Sequence, residues 1–294
     1  MRFGSGPPGH AKLVSNCCKK TSMAALLGLV AVSLGCPPAI PPDDPRTVRT
    51  DQLPKELPAL LVYARKEWAR ALAADPMDRT AATNSLSALR KAQGLEAGNR
   101  EVLLRGAEVA RALGERSRSP GEQRKYATIG LEFTGPGRKR YGGEVAFHYF
   151  HAALLGLQVD AYRAAAFSIV PELRKAAERA VALDRTFDSA GPLRILGSFL
   201  VQVPSTAPFN GDIDRGTKLL QEAVKLAPSH PLNHYFLAEA YALDEEADLA
   251  AGHFGRLICA PRAWPWDRDM ARRYEELARK ALAKLKRSPP SKCQ

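Results

Sequence analysis

The sequence predicts an all-α protein built from stacked antiparallel helical hairpins. Apolar residues recur at helical spacing from Leu57 onward, and no segment shows a convincing strand pattern. The segments KAQGLEAGN (91–99), RAVALDRTF (179–187) and EAVKLAPSH (222–230) also align, with alanine at one position and leucine three residues later. Because one hairpin cannot bury both of its faces, repeated hairpins must stack, which predicts an α-solenoid.

The first 35 residues have the pattern of a bacterial lipoprotein signal peptide. Lys19 and Lys20 precede an apolar run from Met23 to Leu34. This run is too short to cross a bilayer as a helix, which takes about 20 residues, and it suits the apolar region of an export signal. We therefore expect a chain that is lipid-anchored in the bacterial cell envelope and faces the periplasm, at the outer membrane rather than the inner.

Cys36 is the expected lipidation residue. Gly35 suits the position before such a cysteine, whereas Ser33 and Leu34 stand in the reverse of the usual order, so an ordinary signal peptide cut nearby remains an alternative. Five prolines follow between positions 37 and 45. Since Pro-rich chain is extended and semi-rigid, residues 36–54 are expected to form a tether that holds the folded body off the membrane.

A helical-repeat domain is expected over residues 55–287, followed by a disordered tail over 288–294. Residues 57–74 carry a stripe of apolar residues along one helical face, and Pro204 ends a similar helix that begins at residue 191. Further helices are predicted over 78–93, 99–114, 120–133, 143–157, 167–183, 212–227, 231–243, 246–259 and 266–286. The glycine- and cation-rich run GPGRKRYGG (135–143) is predicted to be a loop.

The aligned segments also predict how each hairpin packs. A small residue at the crossing lets two helices approach closely, and a leucine one turn later is expected to cover the end of the hairpin. The crossing residues are Ala92, Ala180 and Ala223, and the leucines are Leu95, Leu183 and Leu226.

The stretch GDIDRGTK (211–218) resembles a phosphate-binding loop only superficially. A phosphate-binding loop follows a buried strand, whereas two prolines lie in the ten residues before Gly211, and the final Lys-Ser/Thr order is reversed here. Asp212 and Asp214 would favour a helix N-terminus and repel phosphate. We therefore expect a repeat helix to begin here.

Charge and cysteines restrict the function further. The formal net charge is +12, of which the predicted signal peptide carries +4. A basic surface suits anionic membranes or acidic partners, and export excludes nucleic acid. Cys259 and Cys293 could form a disulfide, but two unpaired thiols are favoured because one lies at a helix end and the other in the tail.

No catalytic or metal-binding motif is present. His148 and His151 lie three residues apart and His230 and His234 four apart, but neither pair has a third ligand nearby, and Pro231 turns His230 out of the helix. Packing or hydrogen-bonding histidines are favoured. Trp264 and Trp266 are expected to pack in the core of the last hairpin. Neither a cofactor nor a metal is expected.

Three segments together resemble a known family. They are AFHYFHAALLGL (146–157), VPELRKAAERAVALDRTFDSAGPLRILGSFLVQVP (170–204) and GDIDRGTKLLQEAVKLAP (211–228). Behind a lipoprotein signal, they are similar to the TatT component family of TRAP transporter systems, whose hairpins resemble tetratricopeptide repeats. The resemblance implies a TPR-like α-solenoid, a periplasmic solute-binding P-component as partner, a possible small-molecule ligand, and homotrimers with clefts or pores. It further implies that Leu193, Leu196 and Phe199 lie in the core, and that Tyr149 and Arg194 face a cleft and bind ligand or partner.

The expected function is therefore a non-enzymatic binding and partner-recruiting component of a TRAP-type uptake system. The alternative is a structural envelope adaptor, or an outer-membrane assembly scaffold, that holds proteins in the groove of the array. A third hypothesis, an enzyme built on the His pairs and Cys259, has no motif behind it.

Overall fold

The computed structural model describes residues 37–41, 46–207, 209–261, 266–290 and 293. Over these residues the protein is all-α, as predicted, with neighbouring helices packed pairwise. The helices are α1 (Leu57–Ala73), α2 (Arg79–Leu95), α3 (Arg100–Glu115), α4 (Pro120–Arg140), α5 (Val145–Ala161), α6 (Ala166–Leu183), α7 (Phe187–Gln202), α8 (Ile213–Leu226), α9 (Pro231–Leu243), α10 (Ala247–Ile258) and α11 (Arg268–Lys284).

Short polar side chains start several of these helices. Asp78, Asn99, Ser119, Asp212 and Asp267 each accept a hydrogen bond from a backbone N–H in the first turn of the helix that follows. Such caps satisfy backbone donors that have no partner within the helix. The stretch that begins at Gly211 thus opens helix α8, as the sequence predicts.

Small residues lie where the helices cross. Ala92, Ala180 and Ala223, predicted to lie at crossings, are all fully buried. The predicted role of the leucines is wrong for Leu95 and Leu226, whose side chains are exposed. Each of these leucines is the last residue of its helix, so it lies at the solvent end of the hairpin and not inside it.

Ion pairs between successive hairpins follow the repeat length. Arg65 pairs with Glu101, Arg100 with Glu144 and Arg185 with Glu222, across 36, 44 and 37 residues of sequence. In each pair two guanidinium nitrogens bind two carboxylate oxygens at 2.5–2.7 Å. The recurrence of one paired geometry supports the stacking of similar units along the chain.

Helix α4 extends further than predicted. It continues through Pro136 to Arg140, so the predicted loop at 135–143 is wrong over its first six residues. Gly137 explains the difference, because a Cβ atom there would lie 2.3 Å from the Phe147 ring. Pro136 has no backbone N–H and so cannot make the helical hydrogen bond at its position. The close packing of Phe147 on Gly137 nevertheless holds the end of α4 against α5.

Cys259 and Cys293 form a disulfide, so the expectation of unpaired thiols is wrong. The tail was expected to be disordered, but Pro290 folds back to within van der Waals distance of the position a Cβ would take on Gly255 of α10. This return brings together two sulfurs that are 34 residues apart in sequence.

Residues assigned to the tether pack on the helical body. The Pro38 carbonyl accepts a hydrogen bond from Arg124 at 3.2 Å, and the Thr50 and Leu53 carbonyls accept from Lys91 at 3.1 and 3.0 Å. The expectation of a free spacer is therefore wrong for the described parts of 36–54. The expected lipidation residue, Cys36, lies outside the described residues.

The last helix returns to the first half of the array. Asp267, at the start of α11, accepts a hydrogen bond from the Arg116 guanidinium at 2.7 Å, and both side chains are buried. Arg273 on α11 donates to the Glu115 carbonyl at 2.7 Å. The solenoid therefore closes on itself around an interior space that is partly open to solvent.

Candidate ligand-binding cavity

The interior space contains a cavity of about 220 Å³. Its wall comes from helices α3, α5, α6, α7, α9 and α11, so both halves of the array contribute to it. Most of the wall is aliphatic or aromatic, and the apolar residues include Ala152, Ala153, Leu157, Val159, Val170, Leu173, Ile195, Phe199, Val203, Leu232 and Phe236. A concave apolar space with a few polar groups is the usual form of a small-molecule site.

Tyr149 and Arg194, the two predicted binding residues, both line this cavity and lie next to each other. The Arg194 Nη2 and Tyr149 Oη atoms are 3.5 Å apart. Both residues are almost fully buried from bulk solvent, and Leu193, Leu196 and Phe199 lie in the core as expected. The structure thus brings together residues that are 45 positions apart in sequence.

Arg111 and Asp188 complete a charged cluster at this end of the cavity. Tyr149 donates its hydroxyl hydrogen to the Asp188 carboxylate. Arg111 Nη1 lies 3.2 Å from Tyr149 Oη, and Arg111 Nη2 lies 3.5 Å from Asp188 Oδ2. Glu115 also pairs with Arg111 at 2.9 Å. The two arginines are therefore balanced by two carboxylates within the protein.

A left-handed turn places Asp188. Three consecutive residues, Asp188, Ser189 and Ala190, have φ of 47°, 54° and 64°. A left-handed conformation costs about 1–2 kcal/mol for each residue that is not glycine. Such strain persists only where the surroundings determine the conformation, and it occurs often at ligand clamps and switch regions.

Arg194 and Asn233 hold this turn from inside. The Arg194 guanidinium donates to the Ser189 carbonyl at 3.2 Å and to Asn233 Oδ1 at 2.7 Å. The Asn233 amide in turn donates to the Ser189 and Ala223 carbonyls at 3.2 and 3.0 Å. Asn233 is fully buried, so these hydrogen bonds replace those it would make with water.

Burial and charge set the protonation of the cluster. Burial raises the pKa of Tyr149, so the phenol keeps its proton and donates a hydrogen bond to Asp188. Burial alone would raise the pKa of Asp188 as well, but the Arg111 and Arg194 guanidiniums hold it below its usual range. Asp188 is therefore ionised at neutral pH.

The charged cluster separates the main cavity from a second cavity of about 20 Å³. Arg111, Glu115 and Arg194 line both spaces, and His230 and Trp266 line only the smaller one. Burial lowers the pKa of His230 to about 3, and the nearby Arg194 and Arg111 guanidiniums contribute to this shift because they oppose a further positive charge. His230 is thus a neutral wall residue.

A second group of polar residues lies elsewhere on the cavity wall. Asp160 is accessible to solvent through the cavity, yet the surrounding protein displaces enough water to raise the pKa of its carboxyl. Tyr274 and Gln202 also line the wall. Gln202 donates to Glu239 at 3.3 Å, and burial raises the pKa of that carboxyl too. The polar surface of the cavity therefore contains both signs of charge.

Three of the four histidines predicted to be structural, His148, His151 and His234, make side-chain hydrogen bonds, whereas the buried Nδ1 of His230 has no hydrogen-bond partner among the described residues. His148 lies 3.0 Å from the Gly142 carbonyl, and His151 Nδ1 lies 2.7 Å from Thr134 Oγ1. His234 Nε2 lies 2.7 Å from the Pro228 carbonyl, so this nitrogen carries hydrogen and, in neutral His234, Nδ1 accepts from His253 Nδ1 at 2.9 Å.

No group of three residues able to hold a metal ion occurs among the described residues. Trp266 is buried in the C-terminal core as predicted, whereas Trp264 lies outside the described residues.

Sequence reasoning missed Arg111, Asp188 and Asn233. Arg111 is one of several arginines in α3, and Asp188 precedes the run of apolar residues that the sequence marks as helix. Only FDSAGP, with proline and glycine inside a helical pattern, signals an irregularity there. The three residues are too far apart in sequence for spacing to connect them.

No family model matches the chain, and a search of curated proteins finds no match. No helix within the described ranges is both long and apolar enough to cross a membrane. The resemblance to the TatT component family therefore remains an expectation from the quoted segments.

Proposed function

We propose that the chain is a non-enzymatic, periplasm-facing lipoprotein that binds a small molecule inside its closed helical array. In this proposal it acts as the binding and partner-recruiting component of a TRAP-type solute uptake system, beside a solute-binding P-component. The observation that carries the proposal is the 220 Å³ cavity, which is mostly apolar and has a charged cluster at one end.

The closed array favours this function over a protein scaffold. A scaffold would present an open concave face to a peptide or protein. Here the contact between Asp267 and Arg116 brings α11 back to α3. At about 220 Å³ this cavity lies below the roughly 300–1,000 Å³ of sites for drug-sized ligands, so it has room for a small solute but not for a folded partner.

Gly156 offers a direct test of the cavity. A Cβ there would meet only Leu173 Cδ1, at 3.9 Å, so Gly156→Leu should fold normally and place its side chain in the cavity. Gly94→Leu is the matched control, because Gly94 is an exposed residue near the end of α2 with no atom near a Cβ. Native mass spectrometry of protein extracted from membranes should show a bound small molecule in wild type and in Gly94→Leu, but not in Gly156→Leu.

The partner requires a separate measurement. Affinity isolation from the native envelope should recover a periplasmic solute-binding protein, identified by its peptides, with wild type and with Gly94→Leu. If a small molecule is bound but no such partner is recovered, the binding function is supported and the role in TRAP-type uptake is contradicted. The absence of any bound molecule, together with a peptide segment held in the array, would favour the adaptor instead.

A further inference from the structure

The main cavity is elongated along helices α5 and α7. On α5 its wall extends from Tyr149 to Asp160, which is about 16 Å of helix. On α7 its wall extends from Arg194 to Gln202, which is about 12 Å of helix. Because Tyr149 and Arg194 lie next to each other, the charged cluster is at one end of this space. The cavity therefore suits a molecule that is longer than it is wide.

The C-terminal ends of three helices meet at the other end of the cavity. Asp160 lies in the last turn of α5, and Gln202, the last residue of α7, donates to Glu239 of α9 at 3.3 Å. Burial raises the pKa of Glu239, and the nearby Asp160 carboxyl raises it further. The C-terminal end of a helix carries partial negative charge. This end of the cavity, which we call the acidic end, therefore favours a cation.

Asp160 faces the cavity without a partner of its own. No group in the described ranges makes an ion pair or a hydrogen bond with its carboxyl. Burial raises the pKa of Asp160, although the guanidiniums of Arg273 and Arg163 oppose this shift from beyond ion-pair distance. Arg273 donates instead to the Glu115 carbonyl at 2.7 Å. A ligand cation beside Asp160 would replace the water that this carboxylate has lost.

Aromatic rings and a phenol hydroxyl complete the acidic end. Phe236 and Tyr274 line the cavity, and their ring centroids are 6.5 Å apart in an edge-on arrangement. The Tyr274 hydroxyl has no hydrogen-bond partner within the part of the chain that the structure describes. An ammonium group is attracted to aromatic faces and can donate to a phenol oxygen.

The opposite end of the cavity disfavours an ammonium group. The Arg194 side chain lines it and is only 6% exposed, and its Nε has no acceptor among the residues described. Guanidinium and ammonium groups are both hydrogen-bond donors without an acceptor, so they cannot satisfy each other. The wall between the two ends is apolar and suits a hydrocarbon chain.

We propose that the cavity binds an elongated amphipathic amine, with its ammonium group at the acidic end and its hydrocarbon chain along α5 and α7. This inference rests on the proposed binding function and names the chemical class of the ligand. The ammonium group donates to the Asp160 carboxylate and to the Tyr274 oxygen. Burial of the hydrocarbon chain against the apolar wall supplies the remaining affinity.

Two probes that differ in their charged group test the ligand class. Octylamine carries an ammonium group, and octanoate carries a carboxylate on a similar chain. Isothermal titration calorimetry is performed on the protein after its extraction from membranes and dialysis. We expect octylamine to bind at least about tenfold more tightly than octanoate, because a charge-assisted hydrogen bond forms only with the amine. Gly156→Leu should abolish octylamine binding, since its side chain fills the cavity.

Asp160→Asn is the decisive variant, and Asp244→Asn is its matched control. Asp244 directly follows α9, is exposed and does not line the cavity. Asp160→Asn should weaken octylamine binding by about tenfold or more, because it removes the charge that holds the ammonium group. Octanoate should bind this variant no more weakly than wild type. Asp244→Asn should change neither affinity, and circular dichroism verifies the fold of each variant.

The outcomes separate the ligand class from the binding function. Octanoate binding as tight as that of octylamine, or equal octylamine affinities in the two aspartate variants, would overturn the amine class. Octylamine binding that persists in Gly156→Leu would place the amine outside the cavity and would also overturn the proposal. If neither probe binds while native mass spectrometry still shows a bound small molecule, the amine inference fails and the proposed binding function stands.

Discussion

At the scale of single residues, the charged cluster beside the cavity depends on Asp188. Its carboxylate accepts from Tyr149 and lies within 4 Å of both Arg111 and Arg194. The side chain is 29% exposed and the arginine side chains are 13% and 6% exposed, so solvent screens these interactions only partly. A buried guanidinium that loses its anion is costly.

Asp188→Asn is expected to lower the free energy of unfolding by about 3 kcal/mol. The amide keeps an acceptor for Tyr149 but removes the charge that balances the arginines. Denaturant unfolding measures the change. Asp248→Asn is the control, because Asp248 pairs with Arg287 at 2.7 Å on the surface and its side chain is 86% exposed. A loss no larger than that of the control would show that the cluster is not held by charge.

At the scale of elements, the left-handed turn lies within the first residues of α7, so regular right-handed helix begins only at Gly191. Residues 188–190 orient Asp188 toward the smaller cavity, and a Cβ on the following residue, Gly191, would lie 2.6 Å from the Tyr149 ring. The turn and the helix are therefore positioned together by α5.

Ser189 tests the strain in this turn. Ser189 is exposed and its φ is 54°. Ser189→Gly should therefore relieve the left-handed strain, and the gain should exceed the entropy cost of glycine. We expect the free energy of unfolding to rise by about 0.5 kcal/mol. Ser189→Val should lower it, because a β-branched residue tolerates this conformation poorly. Thermal unfolding of both variants measures whether stability falls from the glycine variant through wild type to the valine variant. A valine variant more stable than wild type would contradict the left-handed conformation of Ser189.

At the scale of the whole molecule, closure depends on the buried pair of Arg116 and Asp267. Asp267 also caps α11 by accepting from the Met270 N–H at 3.0 Å. Asp267→Asn keeps an acceptor for the cap but removes the charge, so it isolates the closing contact.

We expect Asp267→Asn to cost about 3 kcal/mol and to speed hydrogen exchange in α11. Asp212→Asn is the matched control, because Asp212 caps α8 with the same geometry from an exposed position. It should change stability and exchange little. Slow exchange in α11 of the Asp267 variant would mean that the array closes without this pair.

Buried neutral histidines predict how the whole fold responds to acid. Burial lowers the pKa of His151 to about 4 and that of His230 to about 3. In the unfolded chain both groups bind protons near pH 6.5, so stability is complete above that pH and falls as pH drops toward the folded pKa values. Each histidine contributes a slope of up to about 1.4 kcal/mol per pH unit.

Urea unfolding at pH 7, 6 and 5 measures this slope. His230→Gln should make the dependence shallower between pH 6 and pH 5 by removing one of these groups. An unchanged slope in this variant would show that His230 is protonated in the folded state.

The sequence by itself determined the helices, because apolar periodicity, capping residues and small crossing residues act over a few turns of chain. Ala92 and Ala223 are buried as predicted, and helix α8 begins after Asp212. The same local reasoning failed where distant segments meet: Gly137 under Phe147 extends α4, and the returning tail pairs Cys259 with Cys293.

Tertiary structure alone decided the cavity and its charged cluster. The sequence pointed to Tyr149 and Arg194, but Arg111, Asp188 and Asn233 contact them across 38 to 39 residues of chain. Closure by Asp267 and Arg116 spans 151 residues. Local sequence patterns carry no information on such contacts between distant residues. The interaction energy of these polar side chains arises only when the stacked helices remove them from water.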